Sequence, residues 1–349
     1  MQVVFYISGH GFGHASRDIE LIRAMCARHA DARIVVRTAA PDRLFAPIAG
    51  AAVDVQPVEA DTGLVQIDSL QLDENESARR AARFYADFDR RVAEEAELVD
   101  RVKADVVVGD IPPLAFAAAA RAGMPSVAVG NFTWDWIYGA YPAFARLAPD
   151  VIPAIRRAYA SATLALRLPL HGGFEPMAAV TRDIPFIARR STRDAADTRR
   201  ALGITGDRLA VLPSFGAYGA NLPLERLRSS DRFALIEPVP DPPPGWLYQD
   251  LVAAADVVVS KPGYGIVSEC VANDTALLYT SRGRFIEYDV LVAEMPHVLR
   301  CRYISQQDLF AGQWADAVEA LLAQPAPAER PRVDGATVAA EAITNLVIG

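Results

Sequence analysis

One stretch decides how the second half of the chain folds, and it reads Ser260-Lys261-Pro262-Gly263-Tyr264-Gly265-Ile266-Val267-Ser268-Glu269. A β-branched run at 257–259 precedes it, and an apolar run at 270–272 follows it. This pattern predicts a buried parallel strand, a tight glycine turn and then a helix. Such a junction points free backbone N–H groups and the positive end of the helix dipole at one spot, which suits a phosphate or diphosphate. We therefore interpret the stretch as half of a nucleotide site.

Two charged side chains support this interpretation. Only two of the 35 basic residues are lysines, Lys103 and Lys261, so a lysine at the mouth of the turn stands out in a chain that otherwise uses arginine. Glu269 lies about one turn further into the helix, where its carboxylate could accept hydrogen bonds from two ribose hydroxyls. The alternative is an ordinary βα turn with a surface glutamate and an unrelated lysine.

Length, composition and charge exclude several classes of protein. A chain of 349 residues with 52% hydrophobic and 22% charged residues is typical of a globular protein with two domains. The formal net charge of −8 disfavours a nucleic-acid partner and favours a small or neutral substrate. Three widely spaced cysteines indicate neither a disulfide framework nor a zinc site. No apolar run reaches the roughly 20 residues that span a bilayer, so we expect a cytoplasmic protein without a transmembrane segment.

A glycine turn also follows the first predicted strand, and it reads Gly9-His10-Gly11-Phe12-Gly13-His14-Ala15-Ser16-Arg17. A nicotinamide cofactor is not indicated, because His14 stands where the dinucleotide fingerprint needs glycine and the second strand ends in Arg37-Thr38, without a carboxylate. The turn instead offers glycines that let a ligand approach the backbone, together with two imidazoles. Since histidine takes a proton near neutral pH, we expect His14, or else His10, to be a general base. Capping or packing of the turn is the alternative.

Polar residues follow two further predicted strands. Asp110 ends the strand that begins near residue 105, and Asn131 follows the strand at 126–130. Ligands of an open parallel sheet lie outside the carboxyl ends of the strands, so we expect the histidine turn, Asp110 and the Asn131 loop to converge. Tryptophan rings in that loop can stack on a sugar, and a carboxylate can bind hydroxyls, although packing of the rings between helices is the alternative. The predicted acceptor-binding residues are Gly11, Gly13, Arg17, Asp110, Asn131, Trp134, Asp135 and Trp136.

The alternation of strands and helices restarts after a connecting segment near 185–195, which predicts two Rossmann-like αβα domains. We place an N-terminal acceptor-side domain at 1–188, a C-terminal donor-binding domain at 189–334 and a closing helix at 335–349. In the second domain, the strand at 208–213 enters another glycine turn, Ser214-Phe215-Gly216-Ala217-Tyr218-Gly219.

One long periodic stretch, residues 76–103, predicts a single helix. Its Asp87-Phe88-Asp89 pattern does not indicate a metal site, because two carboxylates two positions apart in mid-helix point about 200° apart. Residues 238–244 are proline-rich and predict a loop, and residues 297–301 predict a late strand. We expect no metal ion and no cofactor.

The layout of two αβα halves, each with a glycine turn, resembles that of GT-B glycosyltransferases, in which two Rossmann-like domains face a central cleft. The likeness to one family covers nearly the whole chain, because four motifs resemble the N-terminal, glycosyltransferase-like half of plant L-arabinokinases and their stand-alone bacterial relatives. The sequence lacks the galactokinase-type half, so the sugar-1-kinase activity of that family is not carried over to it. The four motifs are Gly9-His10-Gly11-Phe12-Gly13-His14-Ala15-Ser16-Arg17, Asn131-Phe132-Thr133-Trp134-Asp135-Trp136-Ile137-Tyr138, Gly263-Tyr264-Gly265-Ile266-Val267-Ser268-Glu269 and Gly312-Gln313-Trp314.

The second half is more distantly similar to the N-acetylglucosaminyltransferase that makes lipid II. This resemblance implies that the glycine turns hold the donor diphosphate, that the helix glutamate holds the ribose and that an acid after the next strand binds the donor sugar. Glu287 is followed by Tyr288 where many relatives have glutamine, and no nucleobase-selecting residue is evident, so UDP rests on the resemblance alone. The donor-binding residues expected here are Ser214, Gly216, Lys261, Gly263, Tyr264, Gly265, Ser268, Glu269 and Glu287.

The sequence thus predicts a metal-independent glycosyltransferase that moves a sugar from a nucleotide-diphosphate sugar, expected to be a UDP-sugar, to a small-molecule or glycan acceptor. An epimerase or hydrolase acting on the sugar nucleotide is one alternative. A non-catalytic module that senses sugar nucleotides is the other.

Overall fold

The computed structural model describes residues 1–68, 70–215, 222–229, 231–237 and 245–348. The chain divides into two compact units: the first comprises Met1–Ile67, Leu72–Ile187 and Asp334–Gly349, and the second comprises Asp68–Gln71 and Ala188–Val333. The predicted boundary at 188/189 lies one residue from this division. The closing helix, however, belongs to the first unit, and the short segment 68–71 belongs to the second.

The first unit contains nine strands and eight α-helices among the described residues. Its strands are β1 (Gln2–Ile7), β2 (Arg33–Thr38), β3 (Val53–Pro57), β4 (Val65–Gln66), β5 (Leu72–Asp73), β6 (Val106–Asp110), β7 (Ser126–Gly130), β8 (Leu164–Arg167) and β9 (Thr181–Asp183). Its helices are α1 (Gly13–Arg28), α2 (Glu74–Ala86), α3 (Phe88–Arg101), α4 (Pro113–Arg121), α5 (Trp134–Gly139), α6 (Pro142–Leu147), α7 (Val151–Tyr159) and, after the second unit, α15 (Gly335–Ile348). Short 3-10 helices cover Asp42–Leu44 and Glu175–Val180.

Seven of these strands form one parallel sheet in the order β3-β2-β1-β6-β7-β8-β9. Every residue of β6 and β7 is buried, as expected for the continuous apolar runs of a strand that helices cover on both faces. The chain winds outward from β1 in one direction through β2 and in the other through β6. A change of winding direction of this kind opens a crevice at the carboxyl ends of the two central strands, here β1 and β6.

The second unit is smaller and repeats this plan. Its strands are β10 (Leu209–Ser214), β11 (Phe233–Leu235), β12 (Val257–Ser260), β13 (Ala276–Tyr279) and β14 (Cys301–Tyr303). Its helices are α8 (Ala195–Ala201), α9 (Glu225–Arg228), α10 (Tyr248–Ala254), α11 (Tyr264–Asn273), α12 (Ile286–Val298), α13 (Gln306–Ala311) and α14 (Ala315–Leu322).

The five strands form a parallel sheet in the order β11-β10-β12-β13-β14. Here the winding direction changes between β10 and β12, and their last residues, Ser214 and Ser260, are paired in the sheet register. The predicted strand, glycine turn and helix around residue 263 are therefore present as β12 and α11. Gly216 and the rest of the turn to Gly219, as well as the proline-rich segment 238–244, lie outside the described residues.

Two element predictions are wrong in detail. The single helix expected over 76–103 is two helices, α2 and α3, which meet at Asp87 with backbone angles of −112° and 17°. Asp87 is thus not in mid-helix, and its carboxylate accepts hydrogen bonds from Arg90. The strand expected at 297–301 is also displaced, because α12 continues to Val298 and the strand begins only at Cys301. Within the described ranges, no helix has both the length and the apolar character that a bilayer-spanning segment needs.

The closing helix α15 packs against α1 and completes the first unit. His29 at the end of α1 donates from Nε2 to Thr344 Oγ1 over 2.8 Å, while that hydroxyl donates to the backbone of Ala340. At the other end, the backbone N–H of Gly335 donates to the carbonyl of Phe186 over 3.0 Å. A Cβ on Gly335 would lie 2.1 Å from the carbonyl oxygen of Pro185. The helix start therefore packs directly against this backbone, which leaves no space for a side chain at position 335.

We predict that Gly335→Ala lowers the free energy of unfolding by about 1–3 kcal/mol, because the added methyl group overpacks this contact. The measurement is urea unfolding followed by circular dichroism. Gly139→Ala is the matched control, since a Cβ there meets no atom within 4 Å, and it should be neutral or slightly stabilising. Equal stability of the two variants would show that α15 does not depend on this contact.

Candidate active site

The crevice of the first unit brings a histidine and an aspartate together. His14 lies in the first turn of α1, directly after the glycine turn, and Asp110 is the last residue of β6. The His14 Nδ1 and Asp110 Oδ1 atoms are 2.8 Å apart, and both side chains are buried. The sheet order places these two strand ends side by side, so the predicted convergence of the histidine turn with Asp110 is present in the structure.

Arg17 and Asn131 complete a buried polar cluster with this pair. Arg17 Nε donates to Asp110 Oδ2 over 2.5 Å, and its Nη2 donates to Asp110 Oδ1. Its Nη1 donates to Asn131 Oδ1 over 2.7 Å. Arg17 thus connects Asp110 and Asn131, the two other residues of this cluster that were predicted to bind an acceptor. We refer to His14, Arg17, Asp110 and Asn131 as the histidine cluster.

Electrostatics keep Asp110 ionised. Burial alone would raise the pKa of Asp110, but the charge and hydrogen bonds of Arg17 and His14 outweigh burial and hold that pKa well below its usual range. An ionised carboxylate can only accept a hydrogen bond, so a hydrogen bond between these two atoms requires the proton to be on His14 Nδ1. The other ring nitrogen, Nε2, is then left with a lone pair, which is the arrangement of a histidine general base oriented by a carboxylate.

His10, the second candidate base, is held differently. Its Nδ1 accepts a hydrogen bond from the backbone N–H of Leu64 over 3.3 Å, and its ring packs edge-on against Trp134. Gly63 lies against it with a φ of +56°, and a Cβ there would lie 2.6 Å from His10 Nδ1. The geometry therefore favours His14, because His14 has the orienting carboxylate.

The aromatic loop after β7 is mostly packed into the unit. Trp134 is 1% exposed, and its Nε1 donates to Asp61 Oδ2 over 2.8 Å. Trp136 is partly exposed, but a Cβ on Gly172 would lie 2.3 Å from its indole, so the ring covers that glycine. The structure thus gives Trp134 the packing role that was the alternative to sugar stacking.

Asp135, which was expected to bind hydroxyls, is also buried. Its Oδ2 lies 3.5 Å from the guanidinium of Arg156, and burial raises its pKa. Of the glycines expected here, Gly11 is exposed with a φ of +80° and Gly13 begins α1. The glycine turn therefore stays open to a ligand, whereas Asp135 does not.

Asp61 was missed at the sequence level. It lies in the irregular segment after β3. The only feature of the local sequence that could have indicated a site there is the position of this aspartate two residues before Gly63. Burial raises its pKa, which hydrogen bonds from Ser8 and Trp134 and the charge of His14 partly counteract. A second carboxyl group therefore lies within the electrostatic reach of the candidate base.

In the second unit, the predicted phosphate turn is followed by helix α11, and cations lie beside it. Gly263 is the N-cap of α11. Burial, followed by the positive charge of Arg282, lowers the pKa of Lys261 to about 7. Arg282 Nη1 is 3.9 Å from the position that a Cβ on Gly263 would take. The sequence did not single out Arg282, because it is one arginine among many and lies 21 residues beyond Lys261.

Glu269, the residue expected to bind a ribose, is buried in an ion pair. Arg189 donates to Glu269 Oε1 from Nε over 2.6 Å and from Nη2. The Arg189 guanidinium also lies 5.4 Å from the centre of the Tyr248 ring, and the Tyr248 hydroxyl donates to Ser214 Oγ over 2.5 Å. The expected ribose and diphosphate residues of the described chain are therefore linked by a network that the sequence did not reveal.

The remaining predicted donor residues lie near the turn. Ser268 Oγ donates to the Gly265 carbonyl over 2.9 Å, and Tyr264 is buried in the first turn of α11. Glu287 is buried in the first turn of α12, with Oε2 3.6 Å from Arg282 Nη1. The acid expected to bind the donor sugar thus lies beside one of the two cations. Across the described residues, no group of three or more His, Cys, Asp or Glu side chains is placed to hold a metal ion.

Comparisons with known proteins find similarity to glycosyltransferases and to an L-arabinokinase. The family model of glycosyl transferase family 1 matches residues 1–135. An L-arabinokinase of Arabidopsis thaliana is 30% identical over 362 residues, which cover 99% of this chain and 34% of that protein. The chain therefore spans about a third of the length of this curated relative.

Solved structures match over the full length. The glycotransferase of kitacinnamycin superposes with a TM-score of 0.63 at 18% identity, covering 99% of this chain and 98% of that one. The glycosyltransferase VinC, solved in complex with dTDP, superposes with a TM-score of 0.54 at 15% identity, covering 99% and 95%. At these identities the likeness shows the fold, which is the GT-B fold with two Rossmann-like domains. The sequence of this chain is thus similar to part of an L-arabinokinase, and its fold is that of the GT-B glycosyltransferases.

Proposed function

We propose that this protein transfers a sugar from a nucleotide-diphosphate sugar to a hydroxyl group of a small-molecule or glycan acceptor. The observation that carries the proposal is the 2.8 Å contact between His14 and the ionised Asp110 at the carboxyl ends of β1 and β6. It leaves His14 Nε2 as the proton acceptor. The acceptor oxygen, on losing its proton to Nε2, attacks the anomeric carbon, and the bond from that carbon to the diphosphate breaks with its electron pair on the leaving phosphate.

The donor diphosphate is assigned to the second unit. The N-terminus of α11, Lys261 and Arg282 supply positive charge where a leaving diphosphate gains negative charge, which removes the need for a divalent ion. Glu269 would bind the ribose and Glu287 the donor sugar. A structural neighbour bound to dTDP supports a nucleoside diphosphate as ligand, and uridine as its base follows from the family resemblance.

A screen of donors and acceptors tests the proposal. Thermal shift against nucleoside diphosphates and sugar nucleotides identifies the donor, because a ligand that binds only the folded protein raises the melting temperature. Mass spectrometry with an acceptor panel should then show one sugar added to an acceptor, with and without EDTA. Release of free sugar or an isomerised donor in place of a glycosylated acceptor would indicate a hydrolase or an epimerase. Loss of transfer in EDTA would refute the metal-free route.

We predict that His14→Ala lowers turnover by about 10²–10⁴-fold while donor affinity is retained. Asp110→Asn should also reduce turnover strongly, because an amide no longer holds the productive tautomer of His14. Since the two residues act as one unit, the double variant should be no slower than the slower single variant. Steady-state rates at saturating donor check this, and fully multiplicative losses would contradict the pair.

We predict that binding of the nucleoside diphosphate takes up close to one proton at pH 8. With a pKa of about 7, Lys261 is mostly neutral at that pH, and a bound diphosphate restores its charge because an anion nearby raises the pKa of an amine. Calorimetry in buffers of different ionisation enthalpy measures the uptake. Lys261→Met should abolish it, whereas Lys103→Met, at the other lysine of the chain, should not. Equal proton uptake in both variants would remove Lys261 from the phosphate site.

A further inference from the structure

Asp18 is a buried carboxyl group for which the proposed mechanism has no use. It lies on α1 one turn after His14, so the two side chains point to the same side of the helix. Its side chain is fully buried, and neither carboxyl oxygen has a hydrogen-bond donor within reach among the described residues. A buried ionised carboxylate without a donor costs several kcal/mol. The folded protein therefore needs another way to accommodate Asp18.

The charged groups that act on Asp18 are Asp110 from β6 and Arg17 from its own helix. Arg17 directs Nε and Nη2 to Asp110 and Nη1 to Asn131. Asp110 is itself an acceptor, and Arg17 and His14 keep it ionised. Two ionised carboxylates cannot form a hydrogen bond with each other, whereas a protonated acid can donate one to a carboxylate.

We propose that Asp18 is a neutral carboxylic acid in the folded protein and a positioning residue that donates a hydrogen bond to Asp110. Burial and the neighbouring charge of Asp110 both raise the pKa of Asp18, which agrees with this geometry. The acid adds a donor on Asp110 without adding a negative charge beside His14. The positioning role depends on the proposed function of His14 and Asp110, but the protonation state of Asp18 does not.

Carbon-13 NMR of protein labelled at the aspartate carboxyl groups tests the protonation state without any substrate. The Asp18 resonance, assigned by its loss in Asp18→Asn, should keep the chemical shift of a protonated carboxyl between pH 5 and pH 8. The shift of an ionised carboxylate throughout that range would overturn the proposal. The chemical shift is read on the wild-type chain, and Asp18→Asn, which nearly keeps the shape of the side chain, is needed only to assign the resonance.

Stability as a function of pH gives an independent readout. A carboxyl group whose pKa is raised by folding contributes stability that is fully present below its unfolded pKa of about 4 and is lost as the pH rises through the folded pKa. Asn at position 18 does not titrate. The unfolding constant of the wild type, divided by that of Asp18→Asn, should therefore rise by up to tenfold per pH unit above about pH 4. A flat ratio from pH 4.5 to pH 8 would overturn the proposal.

The titration of His14 separates positioning from bulk packing. If Asp18 is a neutral donor, Asp18→Asn replaces it with another neutral side chain that can donate a hydrogen bond. The NMR titration midpoint of His14 should then be unchanged. Asp18→Leu removes the donor, so Asp110 interacts more strongly with the imidazolium and the midpoint should rise. A lower midpoint in Asp18→Asn would show that a negative charge had been removed, and the proposal would fail. An unchanged midpoint in Asp18→Leu would refute positioning even if turnover by the proposed transferase were intact.

Discussion

The first unit depends on the buried charge of Asp110. An ionised carboxylate without water is stable only when cations and donors surround it, and here they are Arg17 and His14. Arg17 also donates a hydrogen bond to Asn131, which follows β7. The contacts around the Asp110 charge therefore connect α1 to the ends of β6 and β7. The same contacts that satisfy the carboxylate therefore orient the candidate base. Loss of the charge would affect folding and chemistry together, so substitutions that keep the shape of the side chain are the informative ones.

The second unit presents the opposite charge. Lys261 lies near Arg282 at the start of α11, and two like charges beside a positive helix end disfavour each other. A lysine adapts to this environment by releasing a proton near neutral pH, whereas an arginine keeps its charge. This difference gives a physical reason for a lysine at 261 in a chain whose other basic residues, apart from Lys103, are all arginines. The proposed phosphate site can thus gain a positive charge when its anionic ligand binds.

The sequence was most informative where local pattern and topology act together. Strand, glycine turn and helix were predictable at residues 2–28 and 257–273 because each pattern is contiguous, and parallel strands then force His14 and Asp110 to one edge. Partners that are distant in sequence had no local signal. The pairing of Arg189 with Glu269 spans 80 residues. The break at Asp87 was hidden because the apolar periodicity continues across it.

The contacts of Glu269 show how a structural ion pair could serve recognition. Arg189 donates to Glu269 Oε1 from both Nε and Nη2, and these contacts restrict the carboxylate that the ribose of the proposed donor would meet. A carboxylate that is already held loses little side-chain entropy when a ligand binds, so more of each hydrogen bond contributes to affinity. Arg189 also packs on Tyr248, whose hydroxyl reaches Ser214 at the end of β10. One arginine therefore links the proposed ribose contact to the strand end beside the phosphate turn, and a change at Arg189 would disturb both ends of the donor site.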